Sequence, residues 1–372
     1  MIEKQAVVIG SGPAGLAASI EAAKRGVEVL VVDENSLPGG QLFKQIHKFF
    51  GSADHRAGIR GFNIGQDLLE EARKNGVEIW LDSAVIGIFP GRELAVEKGE
   101  GNGTKTMQRI KAQRIVIATG ASENAVSFPG WTLPGVMSAG AVQTFINVQR
   151  VLPGERFLMV GSGNVGLIVT YQLMQAGADV AAIVEAAGSI GGYAVHAAKV
   201  RRAGVPIRLN TTIKKAGGQE ELEWAEICQV DSSWQPIPGT EETLEVDTIA
   251  IAAGLKPLIQ LARMQGCHVE FIPELGGWVP LHDKNMETTC PGIFVVGDSA
   301  GVEEANTALE EGRLAGVAIA EAVGTISPSR AILEKEEIWK RLENLRLGPF
   351  GEHRLLAKKK IIEEGNRQWK RE

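Results

Sequence analysis

Short apolar runs that open into glycine recur along the chain. Gln5-Ala-Val-Val-Ile9 leads into Gly10-Ser-Gly-Pro-Ala-Gly15, an alanine-rich stretch follows, and Val27-Glu-Val-Leu-Val-Val32 ends at Asp33. The same order returns in Arg156-Phe-Leu-Met-Val160, Gly161-Ser-Gly-Asn-Val-Gly166, a second helical stretch, and Ala178 to Glu185. Each copy predicts a strand, a tight turn, a helix and a second strand, with both strands buried in a parallel sheet. Two further apolar runs, Arg114 to Gly120 and Thr248 to Gly254, stop on a small residue and glycine. Ala84 to Gln108, with a glycine-rich turn at Gly99 to Gly103, and Cys228 to Glu245 alternate as antiparallel excursions do. Thr288 to Asp298 predicts one more buried strand, and Ala305 to Ala322 a helix. From Ser327 the chain turns to Lys, Arg and Glu, with Ile338, Leu342 and Leu345 at helical spacing and a break at Gly348-Pro-Phe-Gly351.

Within the first glycine turn, Gly10 permits the tight bend, Gly12 a close approach to a pyrophosphate, and Gly15 close helix–strand packing. The helix at Pro13 and Ala14 aims N–H groups and its positive dipole end at phosphate. Asp33, with Glu34 beside it, stands where a carboxylate accepts ribose hydroxyls. Strand, turn, helix and acid together make this a dinucleotide site. In the second turn Gly161, Gly163, Asn164 and Gly166 repeat the cradle, Glu185 takes the acid's place, and Gly254 ends the neighbouring strand. A carboxylate at Glu185 favours NAD over NADP, because it repels a 2′-phosphate. Two readings of this second site stay open: a port for hydride from NADH, or a retained scaffold that takes another adenine nucleotide or nothing. Hydride transfer between nicotinamide and flavin needs no acid–base residue, so no catalytic residue is assigned.

The motifs GSGPAG, PGGQ, IATG, GSGNVG and TTCPGIFVVGD, in that order over about residues 1 to 325, resemble the two-dinucleotide-domain flavoprotein reductases, which include thioredoxin reductase. The resemblance implies an α/β fold of two nested Rossmann-like, three-layer dinucleotide-binding domains in a thioredoxin-reductase-like arrangement, with a short helical C-terminal tail. It implies an FAD domain over 1–122 and 276–326, an inserted NAD(P)H domain over 123–275, and a tail over 327–372. FAD would be held by Gly10, Gly12, Pro13, Ala14, Gly15, Asp33, Glu34, Gly40 and Gln41, by Ala118, Thr119 and Gly120, and by Gly297, Asp298 and Thr307. Asp298 would bond the ribityl chain, and the helix end near Thr307 would face the isoalloxazine. The chain lacks the cysteine pairs of thioredoxin and glutathione reductases at the motif positions, which excludes a disulfide relay there.

The chain is more similar to the FAD/NAD-type alpha subunits of amine and amino-acid dehydrogenases: sarcosine oxidase, opine oxidase, hydrogen cyanide synthase, and dye-linked proline or hydroxyproline dehydrogenases. That likeness implies electron transfer between NADH, FAD and a further acceptor. It also implies that the partner is an FAD-dependent dehydrogenase subunit, with any iron–sulfur cluster on a separate polypeptide. A free-standing NADH-dependent diaphorase or ferredoxin reductase is the other enzyme reading. A non-catalytic nucleotide-binding scaffold subunit is the non-enzyme reading.

Composition narrows this little. Hydrophobic residues at 44% and charged residues at 23% are ordinary for a globular chain. The 45 glycines and 5% aromatics suit α/β domains whose backbone approaches a ligand closely. A net charge of -6 argues against a nucleic-acid partner. Cys228, Cys267 and Cys290 stand apart with no C-x-x-C, as in a reduced cytosolic protein, and no Cys/His cluster has metal-ligand spacing. The apolar N-terminus carries a glycine fingerprint and no cleavage site, and no apolar run reaches the roughly 18 residues of a membrane helix. Four features are read as structural. His47, His55 and Arg56 belong to a surface loop over the FAD domain, with the lining of a substrate or partner entrance as the alternative, and Cys290 packs without a partner cysteine. Trp131 anchors a hinge at the domain crossing, and Lys358-Lys-Lys360 with Arg367, Lys370 and Arg371 is a solvated helix end, the alternative for the tail being that Ile338 to Leu345 docks a partner subunit.

Overall fold

In the computed structural model, which describes residues 1–101, 103–348 and 351–369, the chain forms two compact units. One is Met1–Ser122 with Lys256–Glu372, the other Glu123–Leu255. In the first unit β1 (Ile2–Ile9) runs parallel to β2 (Val29–Val32), joined through α1 (Pro13–Ala23). Pro13 in the first turn of α1 starts the helix with φ already set. After α2 (Gly61–Lys74) come β3 (Glu78–Trp80), β4 (Ser83–Phe89), β5 (Glu93–Gly99) and β6 (Lys105–Ile117). Their order in the sheet is β3-β2-β1-β6-β5-β4.

The stretch from Ala84 to Gln108 forms the expected antiparallel excursion, and it belongs to the same sheet as β1. Residues 105–111 of β6 pair antiparallel with β5, and the same strand continues alongside β1 to Ile117. Its first residues are exposed or half-buried, 109–113 alternate between exposed and buried, and its end is buried on both faces, so one strand reads as two. Successive residues of β1 serve opposite faces: Ala6 and Val8 join the helical layer with Leu16 and Ala17, while Val7 and Ile9 join Ile88, Leu94 and Val96.

The second unit opens with β7 (Val136–Ser138) and α3 (Ala139–Thr144). Next come β8 (Arg156–Val160), α4 (Asn164–Gln175), β9 (Asp179–Glu185), α5 (Ala194–Arg202) and β10 (Ile207–Leu209). An antiparallel meander, β11 (Thr211–Gly217), β12 (Trp224–Gln229) and β13 (Glu242–Glu245), precedes β14 (Thr248–Ile251). The parallel order is β10-β9-β8-β14-β7. Phe157 and Met159 of β8 face Leu167 and Leu173 of α4, and Leu158 and Val160 face Ile213, Ala225 and Ile227 of the meander. Helices, parallel sheet and meander make the three layers.

Back in the first unit lie α6 (Gln260–Met264), the hairpin β15 (Val269–Ile272) and β16 (Gly277–Pro280), and β17 (Ile293–Val295), which pairs with β6. Three helices follow: α7 (Ala305–Val323), α8 (Pro328–Leu345) and α9 (Glu352–Trp369). The return to the first unit falls at Lys256 and not at residue 276, because Ala262 and Cys267 are buried in its core with Ile88 and Leu94. Residues 327–369 are no separate tail either. Ala331, Ile338 and Leu342 of α8 complete the core around α1 and α7, and Ala357 and Ile361 of α9 cover the β15–β16 hairpin. Pro349 and Phe350 of the expected break lie outside the described residues.

α7 crosses α1 at close range. A Cβ on Gly312 would overlap the Ala14 carbonyl oxygen, and one on Gly316 would crowd Ala18 and Glu21. Those two glycines let α7 sit directly on the helix whose N-terminus opens at the first glycine turn.

Candidate nucleotide sites

The glycines of each turn divide into two kinds. A Cβ on Gly10 would overlap the carbonyl oxygen of Ala118, and one on Gly15 would overlap that of Gly10. In the second unit Gly161 stands in the same way against Ala252, and Gly166 against Gly161. These four are demanded by the chain's own packing, and Gly10 and Gly161 also by φ of +104° and +106°. The middle glycines are different. Gly12 and Gly163 have φ of -68° and -65°, which any residue adopts. A Cβ on Gly12 would meet only the Gly40 Cα, at 4.0 Å, and one on Gly163 would meet nothing within 4 Å.

The acids are held identically. Asp33 Oδ2 accepts the N–H and the hydroxyl of Ser11, both at 2.6 Å, and Oδ1 accepts from the N–H of Asn35 at 2.8 Å. Glu185 Oε2 accepts the N–H and hydroxyl of Ser162 at 2.9 and 2.7 Å, and Oε1 accepts from the N–H of Ala187 at 3.0 Å. Each serine also meets the following loop: Gly39 N–H donates to the Ser11 carbonyl, and Gly192 N–H to that of Ser162, both at 2.9 Å. Ser11 and Ser162 went unremarked in the sequence, although the internal repeat places serine at the same position twice.

Of the other candidate residues, Gly40 packs against Gly12, while Glu34 and Gln41 are exposed. The N–H groups of Ala14 and Gly15 precede the first intrahelical bond of α1, Leu16 to Gly12. Asn164 Oδ1 accepts the Tyr193 N–H at 2.8 Å, and Gly254 (φ +90°) accepts from the Asn124 N–H at 3.0 Å.

The loop after β17 is tied to the end of β6. Gly120 N–H donates to Ser299 Oγ at 2.7 Å, and Thr119 Oγ1 lies 3.1 Å from it. Gly297 (φ +64°) faces Ala14 of α1 and donates its N–H to Glu311 Oε2 at 3.0 Å. Thr307 is buried, its hydroxyl bonded to the Glu304 carbonyl in the first turn of α7. Burial is the main reason the Asp298 carboxyl rises to about 6. A hydrogen bond from the Glu303 backbone pulls the other way, and the charges of Glu311, Glu303 and Glu304 add to the rise.

Four of the structural readings need correction. His55 is buried, with Nδ1 3.0 Å from Ser52 Oγ and Nε2 3.0 Å from Glu310 Oε1, so it is a core contact and not part of a surface loop. Burial opposes a charge on Glu310, but hydrogen bonds from His55 and Arg341 and the charges of Arg313 and Arg341 hold its carboxyl below the usual range. Cys290 does have a cysteine neighbour. Cys267 lies near it: the Cys290 thiol donates to the Gln265 carbonyl at 3.1 Å, the Cys267 thiol donates to Thr288 Oγ1 at 3.3 Å, and burial, with the nearby Cys290 adding to it, pushes the Cys267 pKa up to about 12. Trp131 is 43% exposed and lies inside the second unit, where its segment is tied down by Gly130 against Ala216. Lys358 is 2% exposed, while Lys359 and Lys360 face solvent. Lys370 and Arg371 lie outside the described residues.

Two glycine turns of one design, each at the mouth of a three-layer parallel-sheet unit, define a protein with two dinucleotide-type sites. Residues 4–312 match the pyridine nucleotide-disulphide oxidoreductase family, and the chain belongs to it. It is an oxidoreductase of a family that binds FAD and NAD(P)H. An opine oxidase subunit of Rhizobium meliloti is 29% identical over 86% of this chain and 71% of its own length. Hydrogen cyanide synthase subunit HcnB of Pseudomonas aeruginosa is 28% identical over 91% of this chain and 76% of its own. The L-proline dehydrogenase of P. horikoshii shares the fold with a TM-score of 0.70 at 22% identity, over 91% of this chain and 59% of that one. The thioredoxin reductase of T. acidophilum does so at 0.69 and 17%, over 87% and 99%. Among the described residues no helix is long and apolar enough to cross a membrane.

Proposed function

We propose that the first unit holds FAD, that the second holds NADH, and that the chain passes electrons between them and a further acceptor as one subunit of an amino-acid or amine dehydrogenase complex. The observation that carries this reading is the pair Gly12 and Gly163. Neither backbone angle nor neighbouring protein atoms require glycine there, so close approach of a ligand accounts for both. In the first unit the N–H groups of Ala14 and Gly15 would receive the pyrophosphate at the dipole end of α1. The strand end Ala118-Thr119-Gly120 and the loop Gly297-Asp298 would flank the rest of FAD, with Asp298 on the ribityl hydroxyls and the α7 N-terminus near Thr307 towards the ring. Bound FAD supplies the two-electron chemistry, and the chain supplies orientation and field.

In the second unit Gly161, Gly163, Asn164 and Gly166 would cradle the NADH pyrophosphate, with Glu185 and Gly254 beside the adenosine half. The scaffold reading is the alternative; the engaged Glu185 oxygens do not separate the two, because both Asp33 oxygens are engaged by Ser11 and Asn35 in the same way. Anaerobic titration of the purified protein with NADH decides between the two. Stoichiometric loss of the visible flavin band, with much weaker bleaching by NADPH, is the expected outcome. Bound flavin that NADH leaves oxidised would sink the hydride-port reading. The relatives named as subunits support a multi-subunit assembly. Co-purification with an FAD-dependent dehydrogenase subunit is the result expected of it, whereas a lone active chain would mean a diaphorase or ferredoxin reductase.

A further inference from the structure

Arg346 and Lys358 lie beyond the residues matched by the family and are each 2% exposed. Both are aimed at the segment between Gly297 and α7. Arg346 grips Glu303 with two bonds of 2.7 and 2.9 Å and reaches Glu311 Oε1 at 2.7 Å. Lys358 contacts the same Glu311 oxygen at 2.8 Å, lies 3.7 Å from Glu303, and donates to the Ala300 carbonyl at 2.9 Å. The other oxygen of Glu311 accepts the Gly297 N–H. A chain of bonds therefore runs from α9 through Lys358 and Glu311 to the glycine that precedes Asp298.

Glycine also brings α9 close to the rest of the unit. Gly365 lies where a Cβ would crowd the His282 backbone, so the helix comes within backbone distance of that strand connection. His282 beside it is kept neutral, its pKa lowered to about 3 by burial and then by the charge of Lys358.

Charge balance gives the contact a consequence. Asp298, Glu303 and Glu311 crowd one buried loop, and FAD would bring a pyrophosphate dianion to the same unit. The two cations balance Glu303 and Glu311. Remove one, and a buried carboxylate is left uncompensated beside the loop.

We propose that Lys358, with Arg346, is a positioning residue for the flavin loop: it holds Gly297-Asp298 through Glu311 and cancels the carboxylate charge that would otherwise oppose FAD. This rests on the reading that the first unit holds FAD. The test is FAD affinity of the deflavinated full chain, followed by flavin fluorescence, for wild type, Lys358→Met and the double variant Lys358→Met/Glu311→Gln. Lys358→Met should weaken FAD by about tenfold or more. The double variant should recover part of that loss: the amide leaves no unbalanced charge and its oxygen accepts the Gly297 N–H, while its NH2 gives up the bond from Arg346 that Glu311 accepted. A packing role alone would give no such rescue. If Lys358→Met fails to fold, the double variant and the wild type carry the test: by reciprocity, FAD must slow amide exchange within residues 352–369 of the wild type. Lys358→Met that is folded and binds FAD like wild type overturns the inference, as do a folded double variant without rescue and α9 exchange indifferent to FAD. Wild type that binds no FAD at all overturns the reading beneath it instead.

Discussion

Asp298 is a candidate site residue whose chemistry the fold alters. Its carboxyl sits at about 6 when folded against an ordinary 3.8, so the folded chain binds a proton there more readily than the unfolded chain. The sign follows: its contribution to stability is fully present below pH 3.8 and is lost as pH rises through 6. Asp298→Asn removes the titration while keeping a hydrogen-bond acceptor for the Glu303 N–H. Without FAD, the variant should therefore be more stable than wild type at pH 8, by on the order of 2 kcal/mol, with the difference closing towards pH 4. Urea unfolding at the two pH values measures it. A difference that does not change with pH would mean that Asp298 ionises as it does in the unfolded chain.

Among the elements, α1 and α7 make the crossing on which the first site depends. Gly312 is interior to α7, where alanine is intrinsically better by about 1 kcal/mol. Yet a Cβ there would overlap the Ala14 carbonyl, next to the first-turn N–H groups of α1. Overpacking of about 1–3 kcal/mol should exceed that gain: Gly312→Ala is expected to cost up to about 2 kcal/mol net in urea unfolding and to weaken FAD. A variant as stable as wild type would show that the helices slide apart freely.

The elements also separate what could be read in the sequence from what could not. The two glycine turns were legible because φ, strand-end packing and ligand approach each select glycine at a fixed spacing. The buried strands were legible because both faces demand apolar residues. α9 was not, since Lys358-Lys-Lys360 has the composition of a solvated surface, and burial of the first lysine depends on Glu303 and Glu311, far away along the chain. Cys267 and Cys290 failed for the same reason: only the pairing of β17 with β6 and the return of α6 bring them together. Local pattern carries local chemistry, whereas charge compensation across the fold leaves no local mark.

At the scale of the molecule, duplication gives each unit its own core and its own glycine turn. A ligand that binds only the folded state stabilises what it touches, by about 2.7 kcal/mol at a hundred times its dissociation constant. Amide exchange should therefore assign the two nucleotides separately. FAD should slow exchange within residues 10–16, 118–120 and 297–307, and NADH within residues 161–167 and 185–193. If FAD protects residues 161–167 as strongly as its own segments, the two sites are not distinct in the way their sequences suggest. If NADH protects nothing in 123–255 while FAD protects the first unit, Gly163 has lost its ligand. Glu185 would then be a turn-holding acid alone, and electrons would have to reach the flavin through a partner chain. Protection of both segments, each by its own nucleotide, would leave Gly12 and Gly163 as the residues that record two ligands in one chain.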